Sequence, residues 1–288
     1  MDIVQFSYPP TATNDQYAPN VSRTGQLRGL LTACHPGPTV AVTTFTALLA
    51  VAAGHHLARA LLVTGAVLSG QLSIGWSNDL IDAARDRAVG RGDKPIALGE
   101  VRERTVRVAT AAALAACVVL SLACGIAAGA VHLLLGVASG WAYNLWFKRT
   151  VLSPLPYAVA FAILPAVVTL ALPAPQWPPA WVLVTGGLLG VGAHLLNALP
   201  DLADDAMTGV HSLPQLLGGS VVRIVAPAVL LAGSVVAAAG RGMDAWALVL
   251  LAGCVVLAAL AVVGRGRIPF IAAIGIALAN VVSLITRT

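Results

Sequence analysis

Apolar residues fall in long blocks along this chain, separated by short polar segments. A membrane-spanning helix needs about 20 mostly apolar residues. Nine blocks meet or approach that length: 37–54, 57–77, 106–123, 125–145, 151–172, 180–199, 222–239, 245–263 and 268–286. Each predicts a helix. Gly, Ala and Val recur inside them, and small residues let helices approach closely where packing replaces the hydrophobic drive. Residues 1–22 are polar, rich in Pro and Thr, and lack the apolar stretch of a cleavable signal peptide. A flexible cytoplasmic segment over 1–25 is therefore expected, followed by a single nine-helix domain over 26–288.

Composition agrees with the pattern. The chain has 288 residues, of which 58% are apolar and only 10% charged, with mean hydropathy +0.86. A soluble domain carries roughly 25% charged residues. So few charges cannot cover a water-facing surface, which excludes a soluble enzyme, a disordered chain and a collagen. The net charge is +5, and the sequence pI is about 9.4. In a soluble protein that balance would suggest nucleic acid. In a membrane protein it reflects basic cytoplasmic loops, so no nucleic-acid partner is expected. Cys34, Cys117, Cys124 and Cys254 have no metal-ligand spacing and read as reduced packing residues.

The basic residues also orient the chain. With nine spans and the N-terminus in the cytoplasm, 14 Lys and Arg fall on the inner side and 3 on the outer (Arg59, Arg241 and Arg287). This predicts an all-α polytopic protein of the cell membrane with its C-terminus outside. Trp177 and Trp181 then read as an outer-face aromatic belt, and His55 and His56 lie on that far face.

The acids cluster. Asp79, Asp82, Asp86, Asp93, Glu100 and Glu103 occupy one segment, and Asp201, Asp204 and Asp205 another, together 9 of the 12 acids. The two segments are related. Residues 78–101 align without a gap on 197–220, with nine of 24 positions identical, including Asn78/Asn197, Asp82/Asp201, Asp86/Asp205, Gly90/Gly209, Pro95/Pro214 and Gly99/Gly218. The offset spans four membrane helices, an even number, so both copies return to the same face as parallel repeats and can point into one central cavity.

The shared core is N-x-x-x-D-x-x-x-D. On a helix, steps of four residues keep the three side chains in one stripe. Like charges at that spacing repel, and carboxylates next to apolar surroundings are costly. Such a stripe calls for cations. Magnesium takes hard oxygen ligands, one or two carboxylates, and completes its shell with water and phosphate oxygens. Arg85, Arg87, Arg91 and Lys94 follow the first stripe, and Tyr143 and Lys148 end the fourth span in YNLWFK. Acids, magnesium and cations together suit a diphosphate whose hydrocarbon tail lies in the bilayer. Asp79 and Asp204 read equally as solvated helix faces.

These residues resemble the UbiA-type intramembrane prenyltransferase superfamily. Asn78, Asp82 and Asp86 match its first aspartate-rich motif, and Lys94-Pro95-Ile96 with Gly99 match the continuation R-P-L-x-x-G, Lys replacing Arg. Tyr143 and Lys148 resemble the tyrosine–lysine motif between the halves, and Asp201, Asp205, Gly209 and SLPQLLG the second motif. The resemblance covers nearly the whole chain from about residue 25. It implies nine helices around a central cavity, Mg2+ held chiefly by Asp82, Asp86, Asp201 and Asp205, and a prenyl diphosphate donor bound with help from Asn78 and Asn197. It also implies that Lys94, Lys148 and Arg87 offset charge on the departing diphosphate while Tyr143 donates a hydrogen bond. The allylic cation then needs a dry, electron-rich chamber, for which Phe45, Trp76, Trp141, Trp146, Tyr157 and Phe161 are candidates.

The acceptor is less determined. Members that prenylate 4-hydroxybenzoate carry an arginine before the proline that opens the first span, and here His35 stands there, as the candidate substrate-binding residue at that position, with Arg28 nearby. His194, in the sixth span, reads as a packing histidine. The leading expectation is transfer of the prenyl group to a small, aromatic acceptor. The alternative is a terpene cyclase on the same fold, in which the substrate's own double bonds capture the cation. Phosphoribosyl transfer to a lipid phosphate and a carboxylate-lined transporter are the further readings.

Overall fold

The computed structural model describes residues 22–202 and 211–285. Those residues are all helix and connection. In chain order the helices are α1 (Arg23–Ala33), α2 (Pro36–Ala52), α3 (Leu57–Ala88), α4 (Glu103–Ala123) and α5 (Ile126–Leu145). Then follow α6 (Pro154–Leu170), α7 (Ala180–Ala198), α8 (Leu213–Arg241), α9 (Ala245–Val263) and α10 (Ile268–Ile285). Six of them, α3, α4, α5, α7, α8 and α9, are long and apolar enough to cross a membrane, and α2, α6 and α10 are apolar but shorter. The chain is an all-α, multi-pass membrane protein.

Each of the nine apolar blocks lies on its own helix. Two helices exceed their block for a reason. α3 continues past residue 77 to Ala88, because the polar stripe Asn78–Asp86 keeps helical spacing after the apolar run ends. α8 begins at Leu213, with Pro214 in its first turn, where the missing N–H is harmless. α1 has no apolar block at all. It starts at Arg23, inside the segment expected to be flexible, and Ser22 Oγ accepts from Gly25 N–H as its cap.

α2, α3, α5, α6, α7, α8 and α10 pack in that order, and α10 returns to α2, closing a ring. α4 flanks α3, and α9 flanks α8 and α10. One end of the ring is plugged by Phe45, Leu49, Val63, Ala66, Ile163, Val167 and Val281. At that end Arg59 ties two helix C-termini together, donating to Ala171 O at 3.0 Å and Cys124 O at 3.1 Å, while His55 Nε2 lies 2.9 Å from Val168 O. Arg59 and Asp82 share α3, and at 1.5 Å per residue they stand about 35 Å apart along its axis. The plug and the acids therefore occupy opposite ends.

α6 and α7 meet through small residues. A methyl group on Gly186 or Gly190 would sit 2.5 Å from Phe161 O or 2.4 Å from Tyr157 O, so only glycine permits this approach. His194, one turn on from Gly190, is thereby laid against Tyr157.

Candidate active site

The stripe on α3 is buried, and each acid meets different company. Asp82 Oδ1 accepts from Lys148 Nζ at 2.6 Å, with Arg85 at 3.4 Å and Arg149 at 4.0 Å. Lys148 reaches it from a short helical turn, Phe147–Arg149, after α5. Burial pushes the Lys148 ammonium below its ordinary value, and the Asp82 carboxylate works against that shift. Asp86 has Arg85 at 3.5 Å, yet neither of its buried oxygens has a hydrogen-bond partner among the described residues. Asn78 donates to Asn144 Oδ1 at 3.0 Å, and Asn144 donates to Ile74 O and Ser77 Oγ, both at 2.9 Å.

Asp79, for which a solvated helix face and a place in the site were equal readings, is buried. It accepts from Lys94 Nζ at 2.8 Å and meets His35 Nε2 at 3.1 Å. The α1–α2 elbow delivers His35. Trp76 Nε1 donates to Leu30 O at 2.9 Å, fixing α1 on α3. Thr39 Oγ1 donates to Cys34 O at 2.8 Å, and Cys34 backbone lies so close to Gly75 that a methyl group there would meet its carbonyl at 2.4 Å. His35 itself adopts φ 53°, a left-handed conformation rare for a side chain of this size.

A cleft of about 230 Å³ opens beside this cluster, lined by Thr32, His35, Asp79, Asp93, Lys94 and Asn197 among others. It joins the first motif to the first residue of the second. The remainder of the second motif is only partly visible. The side chain of Asp201, and Asp204, Asp205 and Gly209, lie outside the described residues. No cluster of three acidic, His or Cys side chains able to hold a metal ion occurs among the described residues. One backbone feature recurs in both motifs: Gly99 (φ 71°) and Gly218 (φ 75°) are equivalent positions with positive φ, each four residues after a proline, and Gly218 forms a non-helical kink within α8.

Other expected residues stand elsewhere. Arg87 engages Glu103 at the start of α4, and Glu103 also accepts from Arg107 at 2.8 Å. Arg91 clamps Asp93 through two bonds of 2.8 and 2.9 Å and holds that carboxyl below the usual range. Tyr143 packs edge-on against Tyr157, with ring centres 5.1 Å apart, and Tyr157 stacks on Phe161 at 6.3 Å. Trp76 and Trp141 bond to neighbouring helix atoms, and Trp146 is exposed. Trp181, expected in an outer belt, lines an apolar cavity of about 60 Å³ with Phe45 and Phe161. Asn144 and Arg149 were not singled out by sequence. Both sit beside residues that were, Tyr143 and Lys148, which was the available signal.

The sequence model of the UbiA prenyltransferase family matches residues 39–280. The chain belongs to that family. It is, by that membership, a prenyltransferase. No curated protein is significantly similar in sequence. Solved UbiA-family folds are similar in shape. A UbiA homolog from Aeropyrum pernix K1 in its apo form has a TM-score of 0.71 at 20% identity, over 86% of this chain and 96% of that one. A UbiA homolog from Archaeoglobus fulgidus bound to GPP and Mg2+ has a TM-score of 0.66 at 17% identity, over 90% and 99%. A digeranylgeranylglyceryl phosphate synthase has 0.65 at 16%, again over 90% and 99%. These likenesses concern the fold.

Proposed function

We propose that this UbiA-family protein is a Mg2+-dependent enzyme that ionises an isoprenoid diphosphate and transfers the prenyl group to a small aromatic acceptor. The carrying observation is Asp86. Its two buried oxygens lack hydrogen-bond partners among the described residues, and a buried anion left so is costly. Hard carboxylate oxygens without such partners suit Mg2+. Asp82 and Asp86 would hold it from α3, with Asp201 and Asp205 from the second motif. When bound, Mg2+ would neutralise the diphosphate and stabilise its charge as it departs.

The chain's own residues do the rest. Lys148 and Lys94, now held by Asp82 and Asp79, can turn their N–H groups toward the diphosphate as negative charge grows there. Asn78, held by Asn144, and Asn197 on the cleft wall would hydrogen-bond phosphate or its water. The aromatic group of Tyr143, Tyr157 and Phe161 lies next along α5 and α6 and offers ring faces to the cation. The lipid-soluble tail would extend along the ring interior toward the apolar cavity at Phe161. Nine spans, two parallel repeats, a cytoplasmic N-terminus and a site open to the cytoplasm complete the reading. The nine separate apolar helices, the Gly99/Gly218 correspondence and the 14-to-3 division of basic residues support it.

One observation favours the cyclase alternative. His35, standing where benzoate-prenylating members carry an arginine, is engaged by Asp79 and Lys94, so it does not offer a free cation to an acceptor carboxylate. Incubation of the purified protein with geranyl, farnesyl or geranylgeranyl diphosphate and Mg2+, with and without an aromatic acceptor pool, separates the two. A prenylated acceptor supports the transferase. A cyclic hydrocarbon formed without acceptor supports the cyclase.

A further inference from the structure

His194 is only 1% exposed, and its two nitrogens differ. Nε2 lies 3.0 Å from Ser153 Oγ, at the start of α6. Nδ1 is buried and has no hydrogen-bond partner among the described residues. A packing histidine satisfies both nitrogens, because a buried polar atom without a partner costs free energy. Its surroundings are aromatic: the Tyr157 ring centre is 4.8 Å away and that of Tyr143 5.6 Å away. The fold holds the ring there firmly, through the glycine contact of α7 on α6. His194 also shares a helical face with Asn197, one turn away, which lines the cleft.

We infer that Nδ1 of His194 is the base that removes the proton released in the proposed reaction, and the inference rests on that reading. Prenyl transfer must discharge a proton. The donor C–O bond breaks with its electron pair on the diphosphate. A π pair of the acceptor forms the new C–C bond and leaves a ring cation. The C–H pair at that carbon then returns to the ring, and the proton goes to Nδ1. With Nε2–H donating to Ser153 Oγ, Nδ1 presents a lone pair. The imidazolium formed lies against two tyrosine rings, which favour a cation. It returns its proton to the diphosphate, which leaves as hydrogen diphosphate. In a cyclase the same nitrogen takes the C–H proton next to the final carbocation.

The test separates ionisation from deprotonation. His194→Gln keeps a side-chain amide able to reach Ser153 but has no basic nitrogen. Diphosphate release and product are measured together, with ring-deuterated and ordinary acceptor. His194→Gln should release diphosphate at near the wild-type rate. Its deprotonated product should fall by about 10²-fold, the weight of a general base, with prenyl alcohol from water capture in its place. A primary isotope effect absent from the wild type should appear. Ser153→Ala, which leaves Nδ1 in place but frees its orientation, should show the same change more weakly, and it decides the matter if His194→Gln does not fold. An unchanged ratio of product to released diphosphate in the folded variants would overturn the inference alone. Wild-type protein that releases no diphosphate from any donor would overturn the reading beneath it, and this inference with it.

Discussion

Lys148→Met isolates the central ion pair. The substitution keeps the length and apolar body of the side chain and removes the ammonium that lies 2.6 Å from Asp82 Oδ1. Both side chains are almost fully buried. A hydrogen bond to a charged group contributes about 1.5–3 kcal/mol. Orphaning a buried charge altogether costs about 3–5 kcal/mol. Asp82 is not orphaned here, because Arg85 remains at 3.4 Å and Arg149 at 4.0 Å. A loss of about 2 kcal/mol follows. Arg149→Met, which removes an exposed guanidinium at the longer distance, should cost about 0–1 kcal/mol. Adding Asp82→Asn to Lys148→Met should recover part of the loss, since the buried anion left with only its two longer-range partners disappears. Thermal unfolding in detergent, read by tryptophan fluorescence, compares the four proteins. In turnover, losing one donor to a departing anion should lower kcat by about 10²–10³-fold. A Lys148→Met protein with wild-type kcat, or equal destabilisation by Lys148→Met and Arg149→Met, would refute the reasoning.

Three further outcomes are expected. Arg59→Met should lower stability by about 2–4 kcal/mol, because it frees two helix-terminal carbonyls of charge-assisted bonds. It should leave kcat/KM at 25 °C unchanged, since Arg59 lies at the far end of α3. Asp86→Asn should leave the metal-free protein as stable as the wild type or more so, because it removes a buried anion that has no hydrogen bond among the described residues and only Arg85 nearby, at 3.5 Å. It should abolish the rise in melting temperature that Mg2+ produces in the wild type by binding the native state. Gly190→Ala should cost about 1–3 kcal/mol by overpacking, since its methyl group would lie 2.4 Å from Tyr157 O; the same assay reads it.

The fold was legible where chemistry is crude. Twenty-residue apolar runs announce spans because nothing else in water tolerates them, and the nine blocks each became a helix. α1 was not legible. Its Leu27 and Leu31 point outward, and it gains its place through neighbours distant in sequence: Trp76 on Leu30, Val101 against Gly29, and Arg102 N–H on Gln26. Among the site residues, the repeat singled out Asn78, Asp82 and Asp86 as one polar stripe, and the two acids of that stripe are buried. The same logic passed over Asp79, because its counterpart in the second copy is Ala198. Its role depends on Lys94 and His35, which reach it from two separate loops. Arg87, which the resemblance implied for the diphosphate, engages Glu103 at the start of α4 in this structure. His194 reads as packing from sequence, which names a residue and not the two different environments of its nitrogens.

The central claim is that the carboxylate stripe on α3 serves Mg2+-dependent ionisation of a prenyl diphosphate. Diphosphate release from geranyl, farnesyl and geranylgeranyl diphosphates, followed with and without Mg2+ for wild type and Asp86→Asn, tests it most directly. The account predicts release by the wild type only with Mg2+, and none above background by a folded Asp86→Asn protein. Release that persists in Asp86→Asn, or that ignores Mg2+, would contradict it.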